Sequence, residues 1–112
     1  MRSVDEPFGV RTFHHDGSVL VALCGELDIA TAPQVEVAVA QVLGTDLRDL
    51  TVDMSDLSFL DVCGQRALLG AAAAVKDAGA RFQLRGVNEP IRRSIRLVGF
   101  RDLERACDLA PD

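Results

Sequence analysis

The segment from Leu50 to Gly79 constrains the fold of this chain more than any other part of the sequence. Leu50, Val52 and Met54 alternate with polar residues, which is the period of a strand with one buried face. Residues 67–75 are rich in alanine and leucine and predict a helix that ends near Gly79. A strand followed at once by a helix is typical of an α/β fold, in which function commonly lies in loops at the carboxyl ends of strands.

The junction between this strand and this helix reads Asp61-Val62-Cys63-Gly64. Asp61 is predicted to cap the helix, because its carboxylate can accept hydrogen bonds from the free N–H groups of the first turn. Cys63 is then a first-turn residue, where the helix dipole favours the thiolate. The alternative for Cys63 is a small residue buried under the loop.

Length and composition indicate a single domain over residues 1–112, with a loose N-terminal segment at residues 1–7. Hydrophobic residues make up 48% of the chain, as in globular proteins. No apolar run is long enough for a membrane span, and the acidic start does not resemble a signal peptide, so we expect a cytoplasmic protein. The net charge of −5 argues against nucleic acid as a partner.

The three cysteines, Cys24, Cys63 and Cys107, are scattered along the chain. Their number and spacing match neither a metal site nor a disulfide framework, which favours a reducing compartment. A pairing of Cys63 with Cys24 or Cys107 is the alternative and would form a redox switch. That pairing requires Cα atoms within about 7 Å of each other.

Two short apolar stretches, residues 8–13 and 18–23, flank an Asp-Gly dipeptide, which is a strong signal for a hairpin turn between antiparallel strands. His14 and His15 precede this dipeptide and are predicted to be loop residues, because the sequence offers no further ligands for a metal site.

The remaining elements follow from apolar periodicity and helix-end residues. A helix with one apolar face ends at Gly44, a fourth strand covers residues 81–85, and a third helix is capped by Asn88 and ends at Gly99. Residues 103–107 are predicted to form a short last strand. The fold class is therefore α/β of mixed type, with a mixed sheet of four to five strands, two parallel crossovers and three to four packing helices.

The sequence carries few parts from which a catalytic site could be built. It has no glycine-rich phosphate loop, no His–carboxylate pair at helical spacing and no nucleophile with an evident base, so we assign no catalytic residue, expect no cofactor and predict no enzyme. Asp53, Asp56 and Asp61 lie close in sequence and raise the alternative of a magnesium site. We predict no metal site, because strand and turn carboxylates more commonly cap helices or face solvent.

Four segments carry a family likeness. Residues 25–28 read GELD, residues 53–61 read DMSDLSFLD, and residues 88–93 and 97–100 read NEPIRR and LVGF. In this order and spacing, over nearly the whole chain, they resemble STAS domains, the family of bacterial anti-sigma-factor antagonists. The resemblance implies a STAS fold and a protein that binds an anti-sigma factor of the serine-kinase type, and so frees a sigma factor. The family's last helix is expected to be missing here.

The resemblance also implies which residues form the partner surface: Asp28, Asp61, Val62, Cys63 and Gly64. In the family this loop usually reads D-S-S-G, and the kinase phosphorylates its first serine. Val62 occupies that position and has no hydroxyl group, whereas Cys63 replaces the second serine. Phosphorylation at the usual position is therefore excluded, since only a hydroxyl side chain can accept the phosphate.

Several readings stay open at this level. An antagonist without the phosphoacceptor is constitutive, regulated by cysteine oxidation, or diverged to another partner. The runner-up function is an accessory subunit of a lipid or solute transport assembly, where STAS domains also serve. A thiol enzyme centred on Cys63 lacks a base. The sequence leaves open whether the chain is a monomer or a weak dimer.

Overall fold

The computed structural model describes residues 7–109, which form a mixed four-stranded sheet and four helices. In chain order the elements are β1 (Gly9–His15), β2 (Ser18–Leu27), α1 (Ala32–Leu43), β3 (Asp49–Leu60), α2 (Val62–Asp77), β4 (Arg81–Arg85), α3 (Glu89–Val98) and α4 (Arg101–Leu109). The strand order is β1-β2-β3-β4, with β1 antiparallel to β2 and the other two pairings parallel. The predicted fold class is confirmed.

The hairpin between β1 and β2 turns at the predicted Asp-Gly dipeptide. Asp16 has a φ of 48° and Gly17 a φ of 86°, and positive φ at both central residues is what a tight turn between right-twisted strands requires. His14 and His15 are the last two residues of β1 rather than loop residues as predicted, because strand pairing extends to His15 and Ser18.

The core lies on one face of the sheet. Alternate residues of the two inner strands, β2 and β3, and Leu84 of β4 point to this face and are buried: Val19, Val21, Leu23, Leu50, Val52, Met54 and Leu84. The helices cover it, with α1 packed against α2, and with α4 packed against β4, α2 and α3. Because β2 and β3 are parallel neighbours, the loops that follow them leave from the same end of the sheet and lie side by side.

Helix α3 begins and ends as its sequence predicts. The Asn88 Oδ1 atom accepts a hydrogen bond from the Ile91 N–H at 3.0 Å, and Gly99 ends the helix in the left-handed conformation, with a φ of 89°.

The last element differs from its prediction: residues 103–107 lie in helix α4 and not in a strand. Leu103, Ala106 and Cys107 are buried, and their spacing of three and four residues places them on one face of a helix. The predicted strand is therefore wrong, and a fourth helix is the last element of the described part of the chain. Residues 1–6 of the predicted loose N-terminal segment lie outside the described residues.

Candidate functional site

The loops after β2 and β3 lie side by side at the carboxyl ends of these two parallel strands. Leu27 and Leu60, the last residues of these strands, are partners in the parallel register. Asp28 and Asp61 directly follow them and therefore lie next to each other at the ends of the two strands. The Asp61 N–H donates to the Leu27 carbonyl oxygen at 3.3 Å. The structure therefore brings together the two carboxylates that the sequence placed in the partner surface.

Asp28 organises the loop that leads into α1. Its Oδ1 atom accepts hydrogen bonds from the N–H groups of Ala30 at 2.9 Å and Thr31 at 3.1 Å. The Thr31 hydroxyl in turn accepts from the Asp28 N–H and donates to the Glu26 carbonyl oxygen. These bonds hold the carboxylate in a fixed position at the edge of the sheet.

Asp61 caps α2, as predicted. Its Oδ1 atom accepts from the Gly64 N–H at 2.8 Å, and its carbonyl oxygen accepts from the Gln65 N–H at 2.9 Å. The cap satisfies first-turn donors that have no partner inside the helix. It also fixes where Val62 and Cys63 stand.

Gly64 presses the first turn of α2 against the end of β2. A Cβ atom added at Gly64 would lie 2.6 Å from the Leu27 carbonyl oxygen and 2.8 Å from Leu60 Cδ1, closer than real side chains approach. Gly64 is itself buried, so it holds the loop in place and offers little surface to a partner.

Gln65 is a feature of this turn that sequence reasoning missed. Its side chain is completely buried, with a relative exposure of 0%, and neither Oε1 nor Nε2 has a hydrogen-bond partner. Leaving a buried amide unsatisfied costs about 1–3 kcal/mol. The only sequence signal was a polar residue on the face of α2 whose other residues are in the core.

Three large apolar side chains are exposed around the two carboxylates. Ile29 is 73% exposed, Phe59 46% and Val62 41%. Together with Asp28 and Asp61 they form what we call the strand-end surface. Val62 therefore points outward and does not pack into the core.

Ile29 and Phe59 were missed as site residues. The signal for Ile29 is an isoleucine directly after Asp28, in a loop where turn residues are expected. Phe59 breaks the alternation of β3, since it is exposed and follows the exposed Ser58. The sequence alone did not show that both are exposed at the end of the sheet where Val62 also lies.

The three cysteines lie on three different elements, and no disulfide joins any two of them. Cys63 is partly exposed in the first turn of α2. Cys24 is exposed on β2 between the buried Leu23 and Gly25, on the face of the sheet away from the helices. Cys107 is buried in the core on the helix side, so the sheet separates Cys24 from Cys107.

Two of the three carboxylates considered for magnesium, Asp53 and Asp61, have structural partners. Asp53 accepts hydrogen bonds from the Ser55 hydroxyl at 2.6 Å and from Arg85 at 3.1 Å. Burial alone would raise the pKa of Asp53, but the bonds from Ser55 and Arg85 outweigh it and hold this pKa below the usual value. Within residues 7–109 no three acidic, histidine or cysteine side chains are grouped as metal ligands. No helix in this part of the chain has the length and apolar character needed to cross a membrane.

An exposed apolar surface flanked by fixed carboxylates, on a small mixed α/β domain, is typical of protein-binding modules. The chain belongs to the STAS domain family, whose model matches residues 10–110. The resemblance noted in the sequence is therefore confirmed.

Individual relatives agree with this assignment. An anti-sigma-B factor antagonist from Staphylococcus epidermidis is 28% identical over 94 residues, which cover 84% of this chain and 87% of the relative. The crystal structure of an anti-sigma factor antagonist from Mycobacterium paratuberculosis superimposes with a TM-score of 0.77 and 26% identity, covering 91% of this chain and 86% of that chain. SpoIIAA in its unphosphorylated form, another anti-sigma factor antagonist, shares the fold with a TM-score of 0.74 and 20% identity, covering 89% of this chain and 84% of that chain.

Proposed function

We propose that this protein is an anti-sigma-factor antagonist that binds an anti-sigma factor through the strand-end surface. The observation that carries this function is the exposure of Ile29, Phe59 and Val62 beside Asp28 and Asp61. The names of the relatives support the same role.

The chemistry of the strand-end surface indicates the kind of partner surface that fits it. Exposed apolar side chains gain stability when a partner removes them from water. Carboxylates at the rim favour a partner that carries basic groups at matching positions. The hydrogen bonds on Asp28 and Asp61 fix both carboxylates before binding, which lowers the ordering cost of association.

We further propose that the antagonist is not switched by phosphorylation in this loop. Val62 is exposed at the start of α2, so the position is accessible, but its side chain has no hydroxyl to accept a phosphoryl group. A partner of the serine-kinase type would therefore bind this protein without modifying it at residue 62. Such an antagonist is constitutive unless a different mechanism regulates it.

The transport-subunit alternative is not favoured, since the named relatives are anti-sigma factor antagonists. Regulation by a disulfide between two cysteines is less favoured than constitutive binding. The sheet separates Cys24 from Cys107, and Cys63 lies on a third element.

The experiment is a binding and phosphotransfer assay with each kinase-type anti-sigma factor of the same genome, in the presence of ATP and magnesium. We expect binding of the unchanged protein with no phosphate incorporated. The variant Val62→Ser restores a hydroxyl at an exposed position and is expected to become phosphorylated, whereas Val62→Ala, the matched control, is not.

Failure of every kinase-type anti-sigma factor to bind would contradict the proposed function. Phosphorylation of the unchanged protein in the loop region would contradict only the proposed absence of the switch. Performing the assay with and without reductant shows whether a thiol contributes.

A further inference from the structure

A groove on the far side of the domain has no role in the strand-end surface. It runs between α2, β4 and α4 and has a volume of about 670 Å³, which is in the range of about 300–1,000 Å³ typical of binding clefts. Small and aromatic side chains form its apolar part, among them Ala72 and Ala73 of α2, Phe82 of β4 and Ala106 of α4.

The groove contains the free edge of β4. Three consecutive residues, Arg81, Phe82 and Gln83, line it, and successive side chains of a strand point to opposite faces of the sheet. The groove therefore reaches both faces of β4 and the backbone edge between them. Within residues 7–109, β4 pairs with β3 alone. A free strand edge presents unpaired N–H and C=O groups and can accept another extended segment.

Cations outnumber acids along this groove. Lys76, Arg81 and Arg105 line it and are exposed, against the two acids Asp77 and Asp102. The same bias holds for the C-terminal part of the sequence. Residues 81–112 contain seven of the 12 basic residues of the chain, but only five of its 17 acidic residues. A groove whose lining has one more cation than acids, on an otherwise acidic protein, favours an acidic occupant.

A second copy of this chain fits the edge poorly. If β4 paired with β4 of another copy in antiparallel register centred on Gln83, Arg81 of each copy would lie opposite Arg85 of the other. Like charges directly opposite each other across two strands are destabilising. Edge pairing between two copies in this register is therefore disfavoured by the sequence of β4 itself.

We propose that this groove binds an extended peptide segment of a partner protein in which acidic and apolar side chains alternate, and that the segment pairs with β4 as a fifth strand. Phe82 pairs with the core residue Leu50 and faces the helices, so Arg81 points to the other face of the sheet. The acidic side chains of the peptide, all on one face, would pair with Arg81, and the apolar ones would cover Phe82 and the alanines of α2. The groove and the strand-end surface involve different residues, so this second docking site is independent of anti-sigma factor binding.

The probe is the capped peptide acetyl-Glu-Val-Glu-Val-Glu-amide, titrated into the full-length protein and followed by two-dimensional amide NMR. We expect the largest shift changes at the amides of Arg81–Gln83 and of the facing turn of α2. A peptide with lysine in place of glutamate is the charge control and is expected to bind at least tenfold more weakly.

Arg81→Glu is expected to weaken binding of the acidic peptide at least tenfold. The matched control Arg11→Glu makes the same charge change on β1, at the opposite edge of the sheet, and is expected to leave binding unchanged. The amide spectrum of each variant shows whether it is folded.

Three outcomes would overturn the groove assignment. The first is absence of binding at millimolar peptide, and the second is shift changes that map to β1 or to the strand-end surface. The third is equal weakening by Arg11→Glu and Arg81→Glu, which would indicate general charge attraction without a defined site. None of these outcomes bears on anti-sigma factor binding.

Discussion

Helices α2 and α3 begin in the same way but differ in the turn that follows. Each has a side-chain cap, Asp61 accepting from Gly64 and Asn88 accepting from Ile91. Helix α3 then carries Glu89 near its start, a basic residue in its last turn and a left-handed glycine at its end, all of which favour a helix. The first turn of α2 has no acidic residue.

The first turn of α2 departs from the usual rules at three positions. An apolar Val62 is exposed, Gly64 is squeezed against the end of β2, and Gln65 buries an amide without a partner. Local exceptions of this kind are expected where a sequence serves binding as well as folding. The comparison teaches that the ends of α3 stabilise the fold, whereas the first turn of α2 lowers the stability of the fold at the candidate site.

The largest effect is expected from Gly64→Ala. The added Cβ would overlap the Leu27 carbonyl oxygen, so we expect a loss of about 2–3 kcal/mol in the free energy of unfolding. The matched control is Gly70→Ala in the same helix, where a Cβ would meet no atom within 4 Å. That change should stabilise the protein by about 0.5–1 kcal/mol. Urea denaturation followed by circular dichroism measures the free energy of unfolding of both variants. If Gly64→Ala were as stable as Gly70→Ala, the first turn of α2 would not be pressed against β2.

Gln65→Leu is expected to act in the opposite direction. Removing an unsatisfied buried amide while keeping a similar volume should raise the free energy of unfolding by about 1–2 kcal/mol. The control Gln41→Leu changes an exposed glutamine of α1 and should stay within about 0.5 kcal/mol of the unchanged protein. A destabilised Gln65→Leu would mean that the amide has a partner in solution and that the start of α2 carries no such cost.

The two caps give the smallest difference in stability and the sharpest difference in function. Asp61→Ala and Asn88→Ala should each lower the free energy of unfolding by about 1 kcal/mol. Only Asp61→Ala should also weaken binding of an anti-sigma factor, because Asn88 lies outside the strand-end surface. Thermal denaturation and calorimetric titration of both variants test this, and an equal loss of affinity would remove the distinction between the two helices.

Local patterns in the sequence predicted much of the fold. The hairpin at Asp16 and Gly17, the cap at Asp61 and both ends of α3 depend on residues within a few positions of one another, and each is where it was expected. The prediction of a strand at residues 103–107 is wrong, because the apolar residues 103, 106 and 107 have the spacing of a helix and not the alternation of a strand.

The candidate site was predictable only in part. The carboxylates of Asp28 and Asp61 follow two strands that were predicted to be parallel, so their proximity could be anticipated. The exposure of Ile29 and Phe59 and the unsatisfied amide of Gln65 depend on packing between elements far apart in sequence. No local pattern reports such contacts.

The most direct test of the strand-end surface compares two apolar residues exposed on different helices. Val62 is 41% exposed in that surface, and Leu97 is 80% exposed near the end of α3. Calorimetric titration of an anti-sigma factor that binds the unchanged protein would be repeated with Val62→Asp and Leu97→Asp. We predict that Val62→Asp lowers the affinity at least tenfold while Leu97→Asp leaves it unchanged. Unchanged affinity for Val62→Asp, or an equal loss for both variants, would contradict the strand-end surface as the binding site.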